Sequence, residues 1–396
     1  MSDPSSSESG PIRPTRAKVC FASNAIAHYR ERFFQLLRAR LRQEGIELEV
    51  LYGEDYKGHN IGGKVPWALA LPLKSLGPLT WLSVFKPSKG ADLVIIPQVL
   101  KHLWIYPLIL RHMLGTQKIA LWGHGKVFSA LVESRIATLV KHFVSKRCDW
   151  WFTYTERSAK VVREQIGYPR QRITVVNNAV DTLVLSQAQR NLTPDQIARL
   201  RDELGISSSN VGIFVGGMYQ NRHHTKRLLF LVASCIEIRK RVPDFEMIFV
   251  GGGPKQWVAE KAATEYSWMH YVGVQRGIHA VPYWALAKVC LNPGLVGLGI
   301  LDCFALGVPL VTSDVPYHSP EIAYLKPGVN GMMIDDANDP ALFAAGVVAL
   351  IQDDARCAAF AEAGRETVSH ITNEAMVENF TRGILACLDL PSTTKS

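Results

Sequence analysis

The chain has no run of about 20 uninterrupted apolar residues, the length that a membrane-spanning helix needs. Two stretches come nearest. Pro66–Phe85 is interrupted by Pro72, Lys74 and Pro78, and Val99–Leu114 carries Lys101, His102, Arg111 and His112. Residues 1–16 are rich in Ser, Pro and Gly and hold no apolar core of the secretory-signal type, so they read as a disordered leader. Residues 391–396 have the same character. The seven cysteines are scattered, odd in number and without Cys-x-x-Cys spacing. That excludes a disulfide framework and a zinc site, and implies a reducing compartment. Zinc-finger spacing, RNA-binding signatures and compact Lys/Arg runs with interleaved aromatics are also missing. The net charge of +9 therefore points to phosphorylated small molecules or an anionic membrane surface, and not to nucleic acid. The expected setting is cytoplasmic, with peripheral attachment to the inner face of a membrane left open by the charge.

What is present is ordinary globular material, 47% hydrophobic and 20% charged. A length of 396 residues exceeds what one core usually holds, so two domains are expected. Short apolar strands alternate with helical repeats. Strand Lys18–Ala22, helix Tyr29–Glu44 and strand Ile46–Tyr52 open a parallel α/β sheet. Gly53–Gly90 reads mainly as loop and short helices. Strand Leu93–Ile96, helix Gln98–Leu114, strand Lys118–Leu121, helix Leu131–Ser145 and strand Trp150–Tyr154 continue the alternation. After the polar connection Asp181–Gly205 the pattern restarts at strand Val211–Val215, followed by a helix over Lys226–Arg239. The expected organisation is a leader (1–16), a first Rossmann-like domain (17–190), a second (191–370), and a final helix (371–396) returning to the first.

In an open parallel sheet, ligands sit beyond the carboxyl ends of the strands. Here those ends carry Gly216-Gly217, Gly251 to Pro254, Gly273, and Pro293 to Gly299. Glycine permits close backbone approach, and helices that follow such loops favour phosphate.

These loops resemble the donor domain of retaining GT-B glycosyltransferases of family 4. The elements occur in order: Phe214-Val215-Gly216-Gly217, Lys226-Arg227-Leu228-Leu229, Phe249 to Pro254, Tyr271-Val272-Gly273, and Asn292 to Asp302. Gly307 to Val311, Pro320-Glu321 and Gly328 to Gly331 follow. The match is good over roughly 211–351 and looser in the first half, through Tyr29-Arg30, Trp122 to Gly125 and Asn177 to Asp181. The resemblance implies a GT-B fold: two Rossmann-like, doubly wound domains facing a central cleft. It implies a nucleotide diphosphate sugar on the second domain and a glycan or lipid-linked acceptor approaching from the first. The nucleotide sugar is a substrate, and neither a cofactor nor a metal is expected. Protein cations must then offset the diphosphate charge as it leaves.

The resemblance implies the following site. Lys226, opening its helix, is the first cation. The family's second cation falls at Gly217, and Arg222 is the nearby substitute. Gly216, Gly217, Gly253, Val274, Gly297, Leu298 and Gly299 are donor-binding loop positions. Asp302 stands where a carboxylate accepts from the nucleotide ribose hydroxyls, although a first-turn helix Asp needs no ligand to explain it. Gly294 stands where the family has a sugar-binding glutamate, and glycine cannot make that contact. Glu321 is a further donor-side candidate. His124, between two glycines at a strand end, is the catalytic candidate on the acceptor side, as a hydrogen-bonding partner or a capping residue. His28 and Arg30 are acceptor-side candidates. Trp67, Trp81 and Phe85 among lysines suit either a membrane interface or ordinary loop packing. A non-catalytic partner subunit of the same fold is the alternative that Gly217 and Gly294 raise.

Overall fold

The computed structural model describes residues 14–54, 65–115, 117–125, 135–219, 225–335 and 338–391. Contacts divide the chain into two units. Among the described residues, unit 1 comprises 14–125, 135–178 and 373–391, and unit 2 comprises 179–372.

Unit 1 is built on a parallel sheet. Its strands are β1 (Ala17–Ser23), β2 (Ile46–Gly53), β3 (Leu69–Leu71), β6 (Leu93–Pro97), β7 (Lys118–Gly123), β8 (Trp150–Thr153) and β9 (Ile173–Val175), in the order β3-β2-β1-β6-β7-β8-β9. A hairpin of β4 (Leu73–Leu76) and β5 (Leu79–Leu82) lies outside it. The central strands are near-continuous apolar runs because helices cover both faces of a parallel sheet. Leu93 to Ile96 are all fully buried. Helices α1 (Glu31–Gln43), α2 (Ile105–Met113), α3 (Arg135–Lys146) and α4 (Glu156–Glu164) supply part of that cover. Thr155 caps α4 by accepting from the Ser158 amide. The closing helix, Asn373–Asp389, also belongs to unit 1. Its Phe380 stacks on Phe152 at 4.7 Å between centroids. The Lys118 ammonium donates to the carbonyls of Cys387 (3.0 Å), Leu388 (2.6 Å) and Leu390 (2.6 Å), satisfying a helix C-terminus.

Two expectations need correction here. Gly53–Gly90 holds strands β3, β4 and β5 where loop and short helices are expected. β5 alternates, with Thr80 and Leu82 inward and Leu79 and Trp81 outward. Helix α2 starts at Ile105, not Gln98, because residues before it are claimed by other partners: the Leu103 amide donates to Thr80 (2.9 Å), and the Trp104 indole donates to Asn24 (2.7 Å). α3 begins at Arg135, and the expected residues 131–134 of that helix lie outside the described residues.

Unit 2 repeats the architecture. Strands β10 (Val211–Val215), β11 (Glu246–Val250), β12 (Met269–Tyr271), β13 (Val289–Leu291), β14 (Leu310–Ser313) and β15 (Gly331–Ile334) form a parallel sheet ordered β12-β11-β10-β13-β14-β15. Helices α5 (Thr182–Arg190), α6 (Pro194–Leu204), α7 (Leu228–Arg241), α8 (Trp257–Glu265), α9 (Val281–Leu286), α10 (Gly299–Ala305), α11 (Pro340–Ile351) and α12 (Asp354–Ser369) accompany it. Thr193 and Gln196 form a reciprocal capping box at α6. Helix α5 packs within unit 2: Ser186 and Gln189 donate to the carbonyls of Ala305 and Leu306.

The chain leaves β10 through β11 to β12 in one direction, then returns to build β13, β14 and β15 in the other. The order therefore reverses between β10 and β13. Such a switch point leaves a crevice at the carboxyl ends of two neighbouring strands.

Candidate functional site

The loops that flank this switch point are locked to one another before any ligand arrives. The Gly216 amide donates to Val250 (3.0 Å), Gly251 to Gly273 (2.7 Å) and Met218 to Gly252 (2.8 Å). Gly251 has φ +135°, and a Cβ there would overlap the Gly216 carbonyl oxygen. Its lack of a side chain serves loop-on-loop packing, not a ligand. Gly253 similarly abuts the Met218 carbonyl and the Tyr219 ring. Val274, after β12, is 54% exposed.

Lys226 does not open a helix. Arg227 adopts the left-handed region (φ 54°, ψ 43°) as the cap of α7, and the helix starts at Leu228. That reversal leaves Lys226 in the connecting strap, where its ammonium donates to the Leu295 carbonyl. The strap is pinned by the Leu295 amide, which donates to Thr225 at 2.8 Å, and by the Arg227 guanidinium, which donates to Pro293 at 3.3 Å. Gly294 is what lets it sit there. A Cβ at 294 would lie 2.5 Å from the Thr225 carbonyl oxygen and 2.6 and 2.7 Å from the Lys226 carbonyl carbon and Cα. The expected glutamate position is thus filled by the backbone of the lysine itself.

The turn 293–299 is shaped from beneath. His318, buried, accepts from the Val296 amide through Nδ1 (3.1 Å), and its Nε2 donates to the Ser313 carbonyl (2.8 Å). This pattern assigns a neutral imidazole. The Ser319 amide donates to Val296 (3.0 Å), and Thr312 Oγ1 donates to Asn292 (2.7 Å). Gly297 and Leu298 are part-buried in this turn, and Gly299 is exposed at the start of α10.

Asp302 lies in the first turn of α10. Burial raises its pKa from 3.8 to about 7. Burial also lowers Lys226 from 10.5 to about 8, against smaller opposing effects of Cys290 and Cys303. Among the described residues, neither Lys226 nor Asp302 has an ion-pair partner. Burial thus holds each of these groups away from its ordinary charge state, and neither shift contains a contribution from the other.

Other expected residues fall elsewhere. Arg222 lies outside the described residues. A Cβ on Gly217 would run into the Tyr219 ring, so no longer side chain fits there without displacing it. Glu321 is only 3% exposed, inside unit 2 in the 3-10 turn Pro320–Tyr324. In unit 1, Arg30 is not a solvent-facing arginine. It is buried, hydrogen-bonds Asn178 and the Met376 thioether (3.2 Å), and stacks near Tyr29, Phe33 and Trp122. It holds the closing helix on α1. His28 is exposed, with its ring edge-on to Tyr29 at 5.5 Å. His124 follows β7 and packs on Tyr154, 4.2 Å between centroids. Burial first, and Lys141 second, lower its pKa to about 3, so it is a neutral imidazole at physiological pH. Sequence reasoning missed His318, Thr225 and Arg227. Their roles arise from contacts across the sheet end that no local spacing encodes.

Two doubly wound parallel α/β units, each with its ligand-side loops at the strand ends, define the Rossmann-like class of which GT-B proteins are made. Within it, residues 209–353 match the family model "Glycosyl transferases group 1". The chain is 30% identical over 185 residues to a GDP-mannose-dependent alpha-(1-6)-phosphatidylinositol monomannoside mannosyltransferase of Mycolicibacterium smegmatis, covering 43% of this chain and 46% of that protein. It is 26% identical over 136 residues to 2-deoxystreptamine glucosyltransferase of Streptomyces kanamyceticus, covering 34% and 33%. The chain thus spans less than half the length of the curated relatives it matches. Among solved structures it resembles Anabaena HepE in complex with UDP, with TM-score 0.67 at 14% identity over 93% of this chain and 100% of that one. A glycosyltransferase from Rickettsia africae gives TM-score 0.69 at 11% identity over 95% and 99%. These likenesses establish the GT-B fold.

Proposed function

We propose that this chain is a glycosyltransferase that moves a sugar from a nucleotide diphosphate sugar to a hydroxyl of a glycan or lipid-linked acceptor, with retention of configuration. The observation that carries this reading is that burial holds both Lys226 and Asp302, at the strand-end loops of unit 2, away from their ordinary charge states. A diphosphate would relieve the desolvated ammonium of Lys226, and ribose hydroxyls would donate to the Asp302 carboxylate. In the reaction the bond from the anomeric carbon to the diphosphate oxygen breaks. Lys226, supported by the amides of Gly297 to Gly299, meets the negative charge that develops on the leaving oxygen. The acceptor oxygen forms the new bond and gives up its proton to the departing diphosphate oxygen. A neutral His124 accepts hydrogen bonds without carrying charge, which suits positioning of hydroxyls better than strong base catalysis. No metal is required in this scheme, because protein cations and amides hold the diphosphate.

The mannosyltransferase relative is named for a phosphatidylinositol monomannoside, which favours a lipid-linked acceptor and peripheral attachment to an anionic membrane. The alternative of a non-catalytic partner subunit gives no account of a lysine and an aspartate both desolvated at the strand-end loops of unit 2. The test is a thermal-shift titration with a panel of nucleoside diphosphates and nucleotide sugars, followed by product analysis with a hydroxylated acceptor. A rise in midpoint that grows with ligand concentration is expected for at least one nucleotide. A flat response across the panel refutes the reading.

A further inference from the structure

Away from its strand-end loops, unit 1 presents an apolar groove between α2 and α3. Tyr106, Ile109, Leu110 and Met113 line one side, and Leu139, Val140, Phe143 and Val144 the other. The spacing is that of one face on each helix. The inward residues of the same helices, Ile105, Leu108, Ile109 and Val144, are already buried in the core of unit 1. The outward ones therefore form a second apolar face that no core among the described residues fills. Leu139 is 69% exposed, Leu110 58%, and Met113 and Phe143 each 51%. A monomeric protein rarely leaves so contiguous an apolar surface in water.

The charge around the groove says what covers it. α2 carries Arg111, α3 ends on the exposed Lys146, and Arg147 follows it. Neither α2 nor α3 contains an acidic residue. The Arg147 guanidinium lies 3.4 Å from the ring centroid of exposed Phe143, and Arg111 lies 3.7 Å from that of Phe85, itself 46% exposed. Apolar side chains flanked by cations, with aromatics between, match the boundary of an anionic bilayer, where chains enter the acyl region and cations meet phosphate. A second copy of the chain would set this basic surface against itself in a two-fold interface, which opposes pairing. Among the described residues no helix is long and apolar enough to cross a membrane, so association would be peripheral.

We infer that the α2–α3 groove of unit 1 is a membrane-docking surface for an anionic lipid bilayer. This deepens the proposed lipid-linked reading, but its test needs no turnover. The full chain is sedimented with phosphatidylcholine vesicles, with and without about a third phosphatidylglycerol. Binding is expected to the anionic vesicles and to weaken as salt shortens the reach of the charges. The double variant L139S/F143S should lose roughly tenfold or more in partitioning, since two large side chains no longer enter the acyl region. Its melting midpoint and its nucleotide-induced shift should be unchanged. K146E, at an exposed position, gives an independent loss if the first variant folds poorly. Wild-type protein that ignores anionic vesicles, or variants that bind like wild type, overturns the inference. So does light scattering showing a dimer that L139S/F143S dissociates, for then a second copy covers the groove. A missing nucleotide shift beside intact vesicle binding would instead sink the transferase reading.

Discussion

Asp302→Asn tests the charge pattern at the switch point most directly. Burial raises the Asp302 carboxyl from 3.8 to about 7, so folding favours its protonated form. Its stabilising contribution is complete below the unfolded value of 3.8 and is lost as pH rises through about 7. Each pH unit in that window is worth about 1.36 kcal/mol. The two units from pH 5 to 7 therefore cost wild-type protein at most about 2.7 kcal/mol that the neutral amide does not pay. For a unit of this size, 1 kcal/mol moves the midpoint by roughly 2–4 °C. The midpoint of Asp302→Asn should rise relative to wild type by roughly 5–10 °C between pH 5 and pH 8, read by calorimetry or intrinsic fluorescence. A nucleotide whose hydroxyls donate to the carboxylate favours the charged form. Its binding to wild type at pH 7 should release protons, visible as a buffer-dependent heat in titration calorimetry, and the variant should release fewer. Parallel midpoint profiles for the two proteins, within about 1 °C, would show that Asp302 is not desolvated in this way.

Three further outcomes are expected. Lys226→Ala should lower the turnover number by roughly 10²–10³-fold, the usual cost of about 2.7–4 kcal/mol for removing one preorganised charge-stabilising donor, measured in single-turnover transfer from the donor that binds. Gly294→Ala should destabilise unit 2 by about 1–3 kcal/mol in denaturant titration and displace the Lys226 strap, since a methyl group there meets the Thr225 carbonyl at 2.5 Å. An unchanged denaturation midpoint would contradict that packing. His124, with its pKa lowered to about 3, stays neutral from pH 5 to 8, so kcat/KM should show no inflection in that range that His124→Asn removes. A limb near the ordinary histidine value, lost in the variant, would overturn the assignment of a neutral ring.

The doubly wound character of both units was legible because hydrophobic runs and helical repeats alternate along the chain, and that signal is local. The strand-end loops were legible for the same reason: glycine clusters follow apolar runs. What escaped depends on partners far along the sequence. Lys226 looks like a helix start until Arg227 turns left-handed, and only the Thr225–Leu295 contact explains why the strap stays extended. Gly294 reads as a missing ligand in the sequence, yet in the structure it is the space into which the strap packs. Arg30 reads as a free cation at a helix start, but its guanidinium is spent on Asn178 and Met376, the latter 346 residues away. β15 was invisible because a four-residue strand after a glycine-bearing turn carries little periodicity of its own.

The closing helix has a consequence for the order in which the protein matures. Unit 1 contains the first strands to be translated, but Phe380, which packs on Phe33, Trp122 and Phe152, is delivered only after all of unit 2 has been synthesised. Domains generally fold as units while the chain emerges from the ribosome. Here the later-made unit can close first, while the earlier-made one waits with the floor of its aromatic cluster open to chaperones. A chain released after residue 372 should carry a protease-resistant unit 2 and a digestible unit 1.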